Sequence, residues 1–438
     1  MSTAKQVNIF WFRRDLRTHD NRGFFEALSH DLPVLPVFIF DSNILEKLPP
    51  KDHRVDFILK YLEELHEKFK SHGSGLHVYF GDPLEIYKKL TKEYKVHTVF
   101  TNHDYEPYAI KRDEGVQRLL REQKVDFQTF KDQVIFEKSE VVKDNGEFYS
   151  VYTPYMRKWK ETYAKLLGKE KKLIQYVSER KLDSLIKSKG HLLAHRDIGF
   201  TLSNIPAPGK TVKKEILTKY GEQRDFPALD ATSHLGVHLR FGTVSVRDLV
   251  KKAIELKASV WLSELIWREF FMQILWHNPH VVDGPFKEKY SKIQWRNNKE
   301  EFKAWCEGRT GYPIVDAGMR EINATGHMHN RVRMIVGSFL VKHLLINWQW
   351  GEKYFAQKLF DFDLSANNGN WQWVAGCGCD AAPYFRVFNP YTQTEKFDKK
   401  EEYIKKWIPE LGSRTYPDPI VEHSFARNRV LEAYKVIK

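Results

Sequence analysis

VNIFWFRRDLRTHDNRGFFEALSHDLPVLPVFIF, residues 7–40, opens on a short run of β-branched and aromatic residues, Val7–Phe12, and closes on a second, Val34–Phe40. Apolar runs of this length, bounded by charged and turn-forming residues, read as strands. Further runs follow at Leu76–Phe80, Thr98–Thr101 and Asp126–Phe130, with helical patterns at Val55–Phe69, Leu84–Glu93 and Tyr108–Glu122 between them. Gly81-Asp82-Pro83 marks a turn after a strand. Strand–helix alternation predicts an N-terminal α/β domain with a doubly wound parallel sheet over residues 1–132. No glycine-rich phosphate loop accompanies it.

Beyond that domain the pattern loosens. Residues 133–209 are polar and lysine-rich, end in Ile-Pro-Ala-Pro-Gly at 205–209, and read as an interdomain connector with some helix. From 210 to 438 strand signals vanish. Helices are predicted at Val246–Leu256, Trp261–Trp276, Lys299–Glu307, Pro313–Ala324, Met328–Ile346 and Gly351–Phe360, which makes an all-α C-terminal domain.

Composition narrows the function. At 438 residues, 42% hydrophobic and 29% charged, the chain suits two globular cores. No run reaches membrane-helix length, and the first residues lack a secretory pattern. Cys306, Cys377 and Cys379 have no zinc-type spacing and read as reduced thiols. These features imply a cytoplasmic protein, here taken as a monomer. The net charge of +13 points to a polyanionic partner, while the lysine-rich stretches 169–189 and 399–406 read as solvated helix faces. Seven of the 12 tryptophans fall between Trp261 and Trp350, and two more are Trp371 and Trp373. Indole rings concentrated this way suggest ring chemistry or stacking.

Three segments carry candidate chemistry. In SELIWREFF, Glu264, Trp267, Arg268 and Phe271 share one helix face, as an ion pair at a helix edge or as a site. In TGHMHNRVRM, Asn330 and Met334 face together; His327 and His329 lack a third ligand at sensible spacing, so non-metal roles are favoured and no metal is assigned. In DFDLSANNGNWQWVAGCGCDAAPYF, aspartates, asparagines, a glycine and two tryptophans suit a loop that binds a polar, planar ligand, or an ordinary cap ahead of a core helix.

These segments, together with WFRRDLRTHDN (11–21), YGEQRDFPALDATSHLGVHLRFG (220–242), EGRTGYPIVDAGMR (307–320) and DAAPYFRVFNPYTQTEKFD (380–398), resemble the photolyase/cryptochrome family over nearly the whole chain, most of all its class I cyclobutane-dimer photolyases. The resemblance implies FAD, active in its reduced form, in the helical domain. Tyr220 and the turn Thr232, Ser233, His234, Leu235 and Gly236 would hold its phosphates and ribityl, although His234 and Gly236 replace the Arg and Ser frequent in the family. Asp361, Phe362 and Asp363 would line the ring system and ribose, with Arg333 paired to Asp361 and Asn367 beside flavin N5. Trp371, Trp348 and Trp295 match the family's electron-transfer chain, from flavin to surface.

The implied partner is UV-damaged DNA. A dimer must leave the duplex to reach the flavin, and a receiving pocket needs aromatic walls and a basic rim. Trp267 and Trp373 would be the walls, Glu264 and Asn330 the polar end and Met334 the floor. Arg224, Arg331, Arg386 and Gln393 match DNA-contacting positions, joined by Arg268 and Phe271 on the Glu264 face. The family's (6-4) photolyases carry histidines where this chain has Asn330 and Met334, neither a useful general acid; a blue-light cryptochrome is the competing reading from another class. Two departures stand out. His327 replaces the tryptophan usual in the family's Thr-Gly-Trp. The Asn-Glu pair of folate-using members is Tyr108-Ala109 here, which leaves an antenna of deazaflavin, another flavin or none.

Overall fold

The computed structural model describes residues 6–170, 175–383 and 385–437; part of the lysine stretch 169–189, and Tyr384 of the 380–398 motif, lie outside them. Five strands, β1 (Gln6–Phe12), β2 (Val34–Asp41), β3 (His77–Gly81), β4 (Lys95–Asn102) and β5 (Asp126–Phe130), form one sheet in the order β3-β2-β1-β4-β5. Every pairing is parallel, so each link crosses over, and the helices His53–Lys70, Pro83–Glu93 and Pro107–Glu122 lie in three of those links. The expected doubly wound α/β domain is present. Its central strand is buried on both sides. Val7, Ile9 and Trp11 pack with Tyr87, Leu90, Val116 and Leu120, while Phe10 and Phe12 meet Phe24 on the other face.

The chain forms two compact units, which do not follow the expected boundaries at 132 and 209. The first comprises residues 1–141, 159–211 and 234–255; the second comprises 142–158, 212–233 and 256–438. Residues 234–255 join the sheet because Arg247 reaches the fully buried carboxylates of Asp20 and Asp132, both at 2.7 Å, and Arg17 shares Asp132 at 2.8 Å. Gly242 reinforces this docking. Its φ is +62°, and a Cβ there would lie 2.1 Å from the Arg14 carbonyl oxygen, so a side chain is excluded twice over.

The second unit is built on helices, as expected. Ser259–His277, Pro313–Thr325, Asn330–Ser338, Trp348–Lys358 and Leu364–Ala375 surround a core containing Val332, Val336, Leu340, Trp348, Phe355 and Trp371. The single helix expected over Met328–Ile346 is instead an α-helix that ends at Ser338 and a π-helical segment, Phe339–His343. Two glycines set its tightest packing. A Cβ on Gly351 would lie 2.1 Å from the Trp371 ring, and one on Gly369 would lie 2.2 Å from the Phe271 ring. Among the described residues no helix is long and apolar enough to cross a membrane.

Candidate functional site

The second unit holds an open cleft between the Asn330–Ser338, Trp348–Lys358 and Leu364–Ala375 helices. Asp363 starts the last of these: its carboxylate accepts from the Ala366 N–H at 3.3 Å, so the helix begins beside the cleft with an acidic cap. His329 caps the Asn330 helix, its Nδ1 accepting from the Arg331 N–H at 3.2 Å. Burial lowers that imidazole to about 4, which keeps it neutral and able to accept.

Nine of the residues singled out in the sequence line this one cleft: Asn330, Arg333, Met334, Asp361, Phe362, Asp363, Asn367, Trp371 and Trp373. Arg333 bonds both Asp361 oxygens, at 3.1 and 3.0 Å, and donates through Nε to the Met328 carbonyl at 2.7 Å. Burial would raise the Asp361 carboxyl, but Arg333 and His327 outweigh it and hold the group below the usual carboxylate range. Asn367 donates to the Glu352 carbonyl at 3.0 Å. Aromatic and aliphatic walls (Phe355, Leu359, Phe362, Val374) beside amides and an arginine–carboxylate pair fit a flat heteroaromatic ring system with polar edges. That donor set fits the isoalloxazine of FAD.

A second cluster lies on the Ser259–His277 helix. Trp267 stacks on Tyr152 with ring centroids 3.7 Å apart and planes 7° from parallel, and the Tyr152 hydroxyl donates to the Ser263 carbonyl at 2.8 Å. On the helix face read as an ion pair or a site, Glu264 pairs with Arg224, far from it along the chain, whose guanidinium lies 5.4 Å from the Tyr220 ring centre. Arg331 bonds Asp225 at 2.8 Å, tying the Asn330 helix to this cluster. Burial raises the Glu264 carboxyl, with Arg224 opposing. Phe271, expected at the DNA surface, is only 5% exposed. It sits against Gly369 and behind Trp267, at 5.4 Å, as support for that ring.

Trp371 and Trp348 are buried, and Trp295 is half-buried with its ring 6.2 Å from Tyr434. Arg386 is exposed and Gln393 half-buried on the Pro390–Phe397 helix. Thr232 and Ser233 end a segment of the second unit. His234, at φ +50°, precedes the buried Leu235 and the exposed Gly236, which starts a six-residue helix. His327 lies 3.5 Å from Glu321, and the Glu321 carboxylate also accepts from the Tyr403 hydroxyl at 2.7 Å. Sequence reasoning missed Glu352, Asp225 and Tyr152. Glu352 is raised to about 7 by burial, with the Asn367 and Asn368 amides opposing. Its place one turn after Trp348 is the only local signal.

Comparison with known proteins finds one family along the chain. The family model "DNA photolyase" matches residues 8–173, and "FAD binding domain of DNA photolyase" matches residues 261–414. A deoxyribodipyrimidine photo-lyase of Halobacterium salinarum is 36% identical, covering 98% of this chain and 99% of its own. One of Vibrio cholerae is also 36% identical, covering 99% and 100%. Among solved structures, a class III photolyase from Agrobacterium tumefaciens superposes with TM-score 0.85 at 33% identity, covering 100% of this chain and 98% of its own. An archaeal photolyase from Sulfolobus tokodaii, solved with two FAD molecules, gives 0.82 at 34%, covering 98% and 99%.

Proposed function

This chain belongs to the DNA photolyase family, and from that premise we propose that it repairs UV-damaged DNA in the light by splitting cyclobutane pyrimidine dimers. The observation that carries the choice of lesion is the pairing of Asn330 and Met334 on one wall of the cleft. An amide and a thioether can orient a pyrimidine edge and fill space, but they cannot deliver the proton that moving an oxygen in a (6-4) product demands.

FAD, once bound, supplies the light-driven electron transfer to and from the dimer, as cofactors carry the hard chemistry. The chain's own residues position and stabilise. Arg333 fixes the Asp361 carboxylate as an acceptor for the ring system, and Asn367 offers an amide to its N5 edge. Trp267, preset by its stack on Tyr152, and Trp373 sandwich the flipped bases. Asn330 and Glu264 bond their polar edges; Arg224, Arg331, Arg386 and Gln393 hold the DNA backbone, with Arg268 close by. Tyr220, Thr232 and Ser233 hold the cofactor's phosphate and ribityl part. Trp371, Trp348 and Trp295 relay an electron inward, which a buried-to-half-buried order of oxidisable indoles supports. The sheet unit then serves as the antenna-type domain and the helical unit as the catalytic one, acting as a monomer. No antenna chromophore is assigned: the Tyr108 hydroxyl is committed to Asp41 at 2.7 Å, where folate-using members have their Asn-Glu pair.

The deciding experiment gives chemically reduced protein oligonucleotides bearing either a cyclobutane dimer or a (6-4) product, under blue light and in the dark. Light-dependent restoration of the cyclobutane substrate alone is expected. Restoration of neither, with FAD bound, refutes repair in favour of a cryptochrome-like photoreceptor.

A further inference from the structure

Glu264 and Arg224 belong to the surface proposed to receive DNA, yet in the free protein they are paired with each other. Both are partly exposed, the arginine side chain at 25% and the glutamate at 32%, so a ligand can reach and separate them. Asp225 adjoins Arg224 and is answered by Arg331 at 2.8 Å. The Tyr220 ring lies under the Arg224 guanidinium, 5.4 Å away. The Tyr152 hydroxyl is committed to Ser263. Arg268 stands one turn further along the same helix, and the Leu364–Ala375 helix, packed against it through Gly369 and Phe271, contains no ionisable residue.

Two opposing influences thus set the carboxyl: burial and Asp225 favour the neutral acid, and Arg224 favours the anion. DNA shifts both in one direction. A backbone phosphate competes for the guanidinium, for which it is a bidentate partner as good as a carboxylate. A base stacked on Trp267 removes the water that still reaches Glu264.

We propose that Arg224 is a latch coupling DNA binding to proton uptake: as its guanidinium leaves Glu264 for a phosphate beside the lesion, Glu264 takes one proton from solvent and meets the pyrimidine as a neutral carboxylic acid. The inference rests on the repair reading above. The balance is simple: one solvent proton adds to one carboxylate oxygen, the guanidinium keeps its charge, and no electron moves.

The neutral acid suits the task. It presents an O–H donor and a C=O acceptor side by side, matching the carbonyl and N–H that adjoin on a pyrimidine edge, whereas a carboxylate offers acceptors only. A base about to receive an electron is also better served by an O–H donating to its carbonyl than by a neighbouring negative charge. The latch makes this state conditional on DNA, so the free protein keeps a charged, hydrated pair at its surface.

The test is calorimetric titration in the dark of FAD-loaded protein with a dimer-containing duplex, in two buffers of different protonation enthalpy near neutral pH, with an undamaged duplex alongside. Binding to the dimer duplex is expected to take up about one proton, and affinity to fall as pH rises, because the complex holds more protons than its free parts. Glu264→Gln should abolish that uptake. Arg224→Gln should reduce it, since Glu264 is then already partly protonated before binding, and Arg224→Lys should restore it in part. Uptake that is absent in the wild type, or unchanged in Glu264→Gln, overturns the latch while leaving lesion preference intact. Loss of any preference for the dimer duplex overturns the repair reading and the latch with it.

Discussion

At Gly351 a single hydrogen separates a helix backbone from an indole. A methyl group there would lie 2.1 and 2.5 Å from two carbons of the rigid Trp371 ring and 2.6 Å from a terminal methyl of the fully buried Leu340. Gly351→Ala is therefore expected to cost about 1–3 kcal/mol as overpacking, measurable by urea unfolding, and to slow flavin photoreduction by displacing Trp371. Wild-type stability and photoreduction in the variant would show that the ring relaxes freely. Trp371→Phe separates activation from repair: photoreduction should be lost while chemically reduced enzyme still repairs, and repair lost after chemical reduction would refute a role limited to activation. The individual candidates in the cleft were legible because motif and helix face coincide, as for Asn330 and Met334. Gly351, Asp225 and the Arg224–Glu264 pair were not, since each acquires meaning only from a partner far along the chain.

Among the elements, the π-helical segment Phe339–His343 holds the least ordinary residue, Lys342. It is 1% exposed, donates to the Ala375 carbonyl at 3.2 Å, and lies 3.9 Å from the Tyr434 ring centre. Burial lowers its ammonium from the ordinary 10.5 to about 7, with Cys377 opposing. The sign follows. Between about 7 and 10.5 the unfolded chain binds the extra proton, so this lysine costs stability that is progressively recovered as pH rises through that window. Lys342→Met should therefore be more stable than the wild type at neutral pH, with the gap closing toward pH 10.5, as read by urea unfolding across the range. A gap independent of pH would show that packing, not charge, decides. The five strands and most of the helices expected from apolar period stand within a few residues of their places, but the helices Tyr152–Glu170, Leu364–Ala375 and His423–Ala433 were not expected. Nor was the π segment: the chain from Ile335 to Val341 is buried throughout, so no polar face marks where the hydrogen-bond register changes.

For the whole molecule, the sequence showed two architectures and a basic surplus of +13, but not that residues 234–255 leave the helical half for the sheet unit. That docking depends on Arg247 reaching two carboxylates more than a hundred residues away from it, Asp20 and Asp132, which no local period records. The surplus charge makes its own prediction. Net charge gives every duplex the same attraction, released as counterions and weakened by salt, whereas aromatic stacking distinguishes only bases that leave the helix. Arg386 is exposed and Trp267 is held against Tyr152, so their substitutions should dissociate the two contributions. Arg386→Gln should weaken binding to damaged and undamaged duplexes about equally and reduce the slope of log affinity against log salt by about one. Trp267→Ala should leave that slope unchanged and weaken binding to the dimer duplex far more than to the undamaged one. Titrations of both duplexes over a salt series read all four quantities. An equal loss on both duplexes in Trp267→Ala would remove the stacking role, and a lesion-selective loss in Arg386→Gln would place that arginine at the lesion instead of on the backbone.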